Sequence, residues 1–384
     1  MKMYSLIIRN GIVVNSEKAL EEKLDLAVEE DKIVRMAPEI TGEAVSEIDA
    51  EGCLVTPGLI DHHTHLYPMA KIGTPGEAVC FASGVTTAVD AGSTGCDTYE
   101  KYRPFIASAK LGIRAYLNVC STGLDSLPGS MEDVTPGHMD EGKLRELFDR
   151  YGKELLGLKL RTSRNIVREQ GYGPLKAAAA LGEKLGVPLM VHITNPPGPL
   201  ETLFDILRPG DIVTHMYQNT GDTILCDGKV SEAAWKARER GIFFEAADAR
   251  AHFSFEVSEP AIRAGFLPDF IGTDLTKLSM HLRPTSFNMA MQISKYVYLG
   301  IAFAEVIQRA TWNPAVSMGI SDQVGSLREG KQADIAVFKP CTAENVFGDR
   351  PYSNPDRCLR EGKLVYVPML TVKNGEMVYR NLLF

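Results

Sequence analysis

The residues best equipped for chemistry are histidines whose spacing suits a metal ion. His63 and His65 close the segment Pro57-Gly58-Leu59-Ile60-Asp61-His62-His63-Thr64-His65. The apolar run Leu54 to Ile60 ahead of them reads as one buried strand. Side chains two apart on a strand share a face, with Cα atoms about 6.6 Å apart. Two imidazoles so placed can both reach one cation. Downstream, His192, His215 and Asp274 each stand at the end of an apolar run. A lone His-x-His is a weak signal, because short motifs match by chance. Donors recurring at successive strand ends outline a metal-dependent hydrolase.

Lys159 belongs to the same set only conditionally. An ammonium has three donors and no lone pair, so it cannot ligate a cation. Burial favours the neutral amine, which can add carbon dioxide to give a carbamate with two oxygens able to bridge two ions. On the residues alone, a lysine snorkelling at a strand end or paired with a carboxylate is the better reading.

These side chains need elements to bring them together. Apolar or β-branched runs occur at 54–60, 85–90, 114–119, 155–160, 188–193, 211–214, 242–245 and 269–273. Helical periodicity lies between several of them. Leu144, Leu147, Phe148, Tyr151 and Leu155 follow helical spacing, and the alanine-rich stretch Pro174 to Leu185 ends at Gly186, a helix stop. Eight strand–helix units predict an α/β fold, a (β/α)8 TIM barrel with its catalytic groups at the C-terminal strand ends. His63 and His65 then end strand one, Lys159 strand four, His192 strand five, His215 strand six and Asp274 strand eight. Short strands fill both termini. Leu6-Ile7-Ile8 and Ile12-Val13-Val14 flank Asn10-Gly11, Glu29 to Lys32 reads as a turn, and Asn374-Gly375 precedes Met377-Val378-Tyr379. Asn-Gly and charged turns between such runs are hairpin signals. The expected organisation is a small β-sandwich domain formed by both termini (1–53 and 325–384) beside a barrel at 54–324.

At this point the chain resembles the amidohydrolase superfamily over nearly its whole length. Pro57 to Asp61 with His63-x-His65 looks like its opening motif, and Gly84-Val85-Thr86-Thr87 like its second strand. Gly325-Ser326-Leu327 and Gly330-Lys331-Gln332-Ala333-Asp334-Ile335 are similar to the segment returning to the β-domain. Gly157-Leu158-Lys159-Leu160-Arg161 and Pro268 to Leu275 resemble strands four and eight of the deacetylase-type metallohydrolases, relatives of dihydroorotase. The resemblance implies two divalent ions, most often zinc. His63, His65 and Asp274 would hold the buried one, His192 and His215 the outer one, and carboxylated Lys159 would bridge them. It also implies a water activated by the pair as nucleophile and Asp274 as the group that accepts its proton and passes it to the leaving group. Members of that branch show Gly-His-Gly after strand seven, where this chain reads Ala247-Asp248-Ala249. They often have His at the position of Thr276. Neither position is a metal ligand, so the changes bear on substrate recognition.

The expected activity is cleavage of an amide or ester in a small carboxylate-bearing metabolite, such as deacetylation of an N-acyl or O-acyl acid. Arg161, two residues beyond Lys159 and on the same strand face, is the candidate for holding the carboxylate, with pairing to Asp97, Asp248 or another loop acid as the structural alternative. A cyclic-amide hydrolase of dihydroorotase or hydantoinase type is the competing enzyme, although Tyr67 stands where dihydroorotase would carry arginine. A non-catalytic scaffold on the same fold is the competitor from another class. Among the remaining candidates, His62 faces away from His63 and His65 and reads as packing or as a residue supporting a ligand from behind, rather than as a ligand. His138 reads as a solvated loop residue. His252 and His281 follow strands seven and eight on the catalytic face, and Asp90 could orient a ligand histidine or bind loop backbone. Cys120 has no activating base.

A net charge of −8 over 384 residues argues against nucleic acid and anionic membrane as partners. A small molecule is the expected partner, and a homo-oligomer is left open. Seven scattered cysteines without Cys-x-x-Cys, and no signal-peptide core ahead of the first strand, lead to the expectation of a cytoplasmic protein.

Overall fold

A computed structural model describes residues 3–125, 131–281, 284–285, 287–349 and 358–384. Eight strands, Leu59–Thr64, Val85–Gly95, Gly112–Asn118, Leu155–Arg161, Leu189–His192, Ile212–Thr214, Phe243–Ala247 and Phe270–Gly272, run parallel and neighbour one another in chain order. They are called strands one to eight below. Backbone bonds from Thr273 and Asp274 N–H to the His63 carbonyl, at 3.2 and 2.6 Å, stitch strand eight to strand one and close the barrel.

The period of two decides which side chains enter the barrel. Leu158 and Leu160, Val191 and Val213 pack outward with the surrounding helices, while Val89, Ala91, Tyr116, Met190, Ile212 and Phe270 fill the inside. Alternation therefore turns Lys159 and His192 inward. The helix over Glu141–Tyr151 follows the expected spacing, except that Leu155 already begins strand four. The alanine-rich helix Gly173–Leu185 stops at Gly186, left-handed at φ 69°. Helix Met289–Tyr298 buries Met289 to Met291 as core and is capped by the Asn288 side chain. The stretch 286–291 has the composition of helix core, and its first residue, Ser286, lies outside the described residues. Among the described residues no helix is long and apolar enough to cross a membrane.

Both termini build two further sheets. One has the order Lys32–Ala37, Asp25–Glu29, Met3–Arg9, Glu43–Asp49. The other has the order Glu376–Arg380, Leu359–Lys373, Ile335–Gly348, Leu54–Pro57, Ile12–Asn15, Leu20–Lys23. Leu6, Ile8, Leu26 and Val28 of the first share an apolar layer with Val13, Val55, Ile335, Val337 and Leu370 of the second. The hairpins at Glu30-Asp31 and Asn374-Gly375 form as expected.

Two expectations fail here. The run 54–60 is not one strand. Leu54–Pro57 pairs with Ile335–Phe338 in the terminal sheet, and only from Leu59 does the chain pair with Val85 in the barrel. Pro57 offers no N–H to continue a ladder, and at Gly58 a Cβ would lie 2.2 Å from Thr86 Oγ1, so the chain can cross there only without a side chain. Asn10-Gly11 is likewise no hairpin turn, because Met3–Arg9 and Ile12–Asn15 go to different sheets. Asp334 anchors the return from the barrel. Its carboxylate pairs with Lys373 Nζ at 2.7 Å and accepts from Asn374 N–H at 2.9 Å.

Candidate metal centre

The six residues singled out in the sequence meet at the C-terminal mouth of the barrel, around a cavity of about 180 Å3 that His63, His65, Lys159, His192, His215 and Asp274 all line. Asp274 Oδ1 lies 3.2 Å from His65 Nε2 and 3.5 Å from His63 Nε2, and Oδ2 lies 4.0 Å from His215 Nε2. Donor atoms of His63, His65 and Asp274 fall within 4.8 Å of one another, and so do those of His192, His215 and His252. His215 and Asp274 both adopt left-handed backbone, at φ 69° and 51°. Non-glycine residues there are strained, and such strain gathers at functional sites.

The opposite ring nitrogens are held from behind. His63 Nδ1 meets Glu245 Oε2 at 2.8 Å and Thr214 Oγ1 at 3.0 Å, and His65 Nδ1 meets Ser93 Oγ at 2.7 Å. His215 Nδ1 donates to the Ala247 carbonyl at 2.6 Å, and His252 Nδ1 meets Thr194 Oγ1 at 2.8 Å. Holding Nδ1 in this way turns the Nε2 lone pair of each ring toward the cavity, the arrangement of metal-ligating histidines. Burial first, and then neighbouring cations and imidazoles, push His192 and His215 well below the usual histidine range. Both rings are therefore neutral, as ligands must be.

Lys159 Nζ is buried 3.2 Å from His63 Nε2 and 3.3 Å from Met190 Sδ. Among the described residues no carboxylate lies within ion-pair range of it, and burial is the main cause pushing its amine down to about 8. Its stem passes strand two where Gly92 has φ 85° and a Cβ would come within 2.6 Å of Lys159 Cγ. These residues fit a pair of cations: two groups of imidazoles facing the cavity, a carboxylate between them, and an amine without a counter-ion.

Four supporting residues escaped the sequence reading. Glu245 accepts from both His62 (2.5 Å) and His63. Burial alone would raise its carboxyl, but the His63 and His62 imidazoles hold it well below the carboxylate range. Asp61 binds Thr273 through N–H and hydroxyl at 2.9 and 2.6 Å, tying strand one to the end of strand eight. Burial pushes its carboxyl up to about 7. Glu132 is the partner of Arg161, with Nη1 to Oε1 at 2.6 Å. Arg250 also lines the cavity.

The loop acids considered for Arg161 are engaged elsewhere, Asp97 with Lys143 and Asp248 with Lys295. His62 is buried against Phe270, 4.4 Å between ring centres, and His138 is exposed beside Asp133. Asp90 combines both expected roles. It accepts from Ser93 Oγ, which holds His65, and from the Leu66 N–H. Tyr67 is buried, stacked on Tyr102 at 5.1 Å, and does not line the cavity.

The model of the amidohydrolase family matches residues 232–365. A deacetylase of Enterococcus faecalis is 28% identical over 383 residues, covering 98% of this chain and 100% of the relative. A deacetylase of Agrobacterium fabrum is 33% identical over 294 residues, 76% of this chain and 72% of the relative. Among solved structures, a dihydroorotase superposes with a TM-score of 0.88 at 27% identity, covering 98% of each chain. An adenine deaminase does so at 0.87 and 27%, covering 98% of this chain and all of the other. With its barrel, its β-rich terminal sheets and these relatives, the chain belongs to the amidohydrolase family, on the dihydroorotase-like branch, and is a hydrolase.

Proposed function

We propose that this hydrolase works with two divalent ions, most readily zinc, and removes an acyl group such as acetyl from an N-acyl or O-acyl derivative of a small carboxylic acid. The observation that carries the reading is Lys159. An uncompensated buried ammonium costs several kcal/mol, and carboxylation would replace it with an anion able to engage both imidazole groups. In this reading His63, His65 and Asp274 would hold one ion and His192 and His215 the other, and carboxylated Lys159 would supply an anionic ligand shared by the two. A bound pair would supply an activated water and a polarised carbonyl. Imidazole and carboxylate donors suit zinc, though not zinc alone. Asp274, beside both imidazole groups, takes up the proton of the attacking water and returns it to the leaving group.

The deacetylase relatives support acyl removal, and the small cavity supports a small substrate. The relatives' activities range from deacetylase to dihydroorotase and adenine deaminase, so substrate choice rests on the cavity lining. Tyr67, packed away from that lining, argues against dihydroorotase chemistry here. The partner is a small molecule rather than nucleic acid or membrane. The seven free cysteines support a reducing, cytoplasmic setting.

Elemental analysis of protein prepared without chelator should find close to two divalent ions per chain. A content near zero that reconstitution does not raise would sink the binuclear reading. The same preparation, screened against N-acyl amino acids, O-acyl hydroxy acids and cyclic amides, should turn over the acyl compounds and leave the rings intact.

Arg161 faces the cavity while one nitrogen is committed to Glu132, a pairing that fixes its plane and leaves the rest of the fork for a substrate carboxylate. Arg161→Lys should raise KM for a carboxylate substrate far more than for its neutral amide analogue, because lysine keeps charge but loses the bidentate geometry. Equal rises for both would assign Arg161 to supporting Glu132 alone.

A further inference from the structure

We propose that His252 is a third imidazole donor to the outer ion, beside His192 and His215; this rests on the binuclear reading above. His252 lies beyond strand seven, in a loop whose sequence shows no regular pattern. Its ring centre is nevertheless 4.3 Å from that of His215 and 4.9 Å from that of His192. Its donor nitrogen falls within 4.8 Å of theirs, and its Nε2 lies 3.7 Å from Asp274 Oδ2.

Three features make this a built position. The Thr194 hydroxyl, at the end of strand five, takes up Nδ1 at 2.8 Å, so Nε2 is the nitrogen turned toward the group. The loop is fixed by a bond from the His252 N–H to the Asp248 carbonyl at 3.0 Å. Asp248 is itself locked by Lys295 Nζ at 2.5 Å and the Tyr296 hydroxyl at 2.9 Å. Asp248, the departure after strand seven, thereby acquires a structural role, anchoring the turn that delivers an imidazole four residues later. Three imidazoles would give the outer ion a nitrogen-rich set, which favours zinc, cobalt or nickel over manganese.

The test compares wild type, His252→Gln and Thr194→Val, each loaded with zinc, equilibrated against graded chelator and analysed for metal. Cobalt-substituted samples are examined in parallel by visible absorption. Wild type should keep two ions per chain. His252→Gln should lose one of them at free zinc about tenfold or more above the wild-type threshold, with an altered cobalt spectrum. Thr194→Val, which frees Nδ1, should weaken the same ion in the same direction by less. Two ions held with wild-type affinity and an unchanged cobalt spectrum in His252→Gln would overturn the proposal even if turnover fell, and would assign His252 to substrate. If His252→Gln does not fold, unchanged metal affinity in Thr194→Val overturns it instead. Wild type that binds fewer than two ions overturns the binuclear reading, and this proposal with it.

Discussion

Lys159→Ala should abolish turnover and strip the protein of metal, and short carboxylic acids such as formate or acetate should restore part of both. The alanine leaves a space about the size of the lost side chain, into which a small carboxylate can place two oxygens where the carbamate would have stood. Rescue should follow the size of the added acid, because Gly92 and Met190 pack closely along the lysine stem and close-packed interiors admit little extra volume. The variant also separates two roles of the lysine. In metal-free protein its amine is pushed down from 10.5 to about 8, by burial above all. Between those values the unfolded chain binds a proton that the folded one has released. Stability of the metal-free wild type should therefore rise with pH across that window, by roughly 3 kcal/mol in all, and be lowest below pH 8. Lys159→Ala should flatten this rise. Below pH 8 the lost packing of the stem is then offset by the removal of an uncompensated charge. Denaturant unfolding at about pH 7 and about pH 10, on either side of most of that window, reads the difference. An unmodified amine at Lys159 in a metal-replete crystal would contradict the carbamate.

The barrel was legible because its strands are buried on both faces and so read as apolar runs, and because a lone polar residue at the end of such a run has few reasons to be there. Lys159 shows the strength of that argument, since Leu158 and Leu160 fix its direction by alternation alone. The misreadings come from places where sequence pattern does not encode the partner. Leu54–Pro57 and Leu59–Thr64 are equally buried, and the change of sheet between them depends on Ile335–Phe338, far along the chain. Asn10-Gly11 carries a hairpin signature but bridges two sheets, because Ile12 and Val13 pair with Leu54 and Val55 instead.

Among the site residues, those at strand ends were largely found and those on loops were not. Glu245 was the avoidable omission. A single acid inside Phe243-Phe244-Glu245-Ala246-Ala247 must be buried, and a buried carboxylate requires partners. The His62–His63 pair supplies them. Glu132 and the ligand geometry of His252 were out of reach, because a loop side chain takes its direction from tertiary contacts. For His252 those contacts are Thr194, and Lys295 acting through Asp248.

Asp274→Asn should lower kcat by at least ~10²–10⁴-fold, the usual contribution of a group that moves a proton in the transition state. The substitution is close to isosteric, and the backbone that aims the side chain is fixed independently of it. Asp274 N–H is bonded to the His63 carbonyl, and Thr273 beside it is held by Asp61. The amide thus stands where the carboxylate stood, next to His65 and His63 on one side and His215 and His252 on the other. What disappears is the anion. Burial opposes ionisation of Asp274, but the neighbouring imidazoles, His63 first and then His65, outweigh it and hold the carboxyl well below its usual range. The side chain therefore starts the cycle unprotonated, as a proton acceptor must. Asparagine can offer an oxygen to a cation but cannot take up a proton at working pH, so the variant divides ligation from proton transfer when assayed at metal concentrations that keep both positions filled. A large fall in kcat with two ions retained assigns the proton to Asp274. Near-normal kcat with two ions retained excludes it, and the acceptor then has to be sought among the remaining cavity groups.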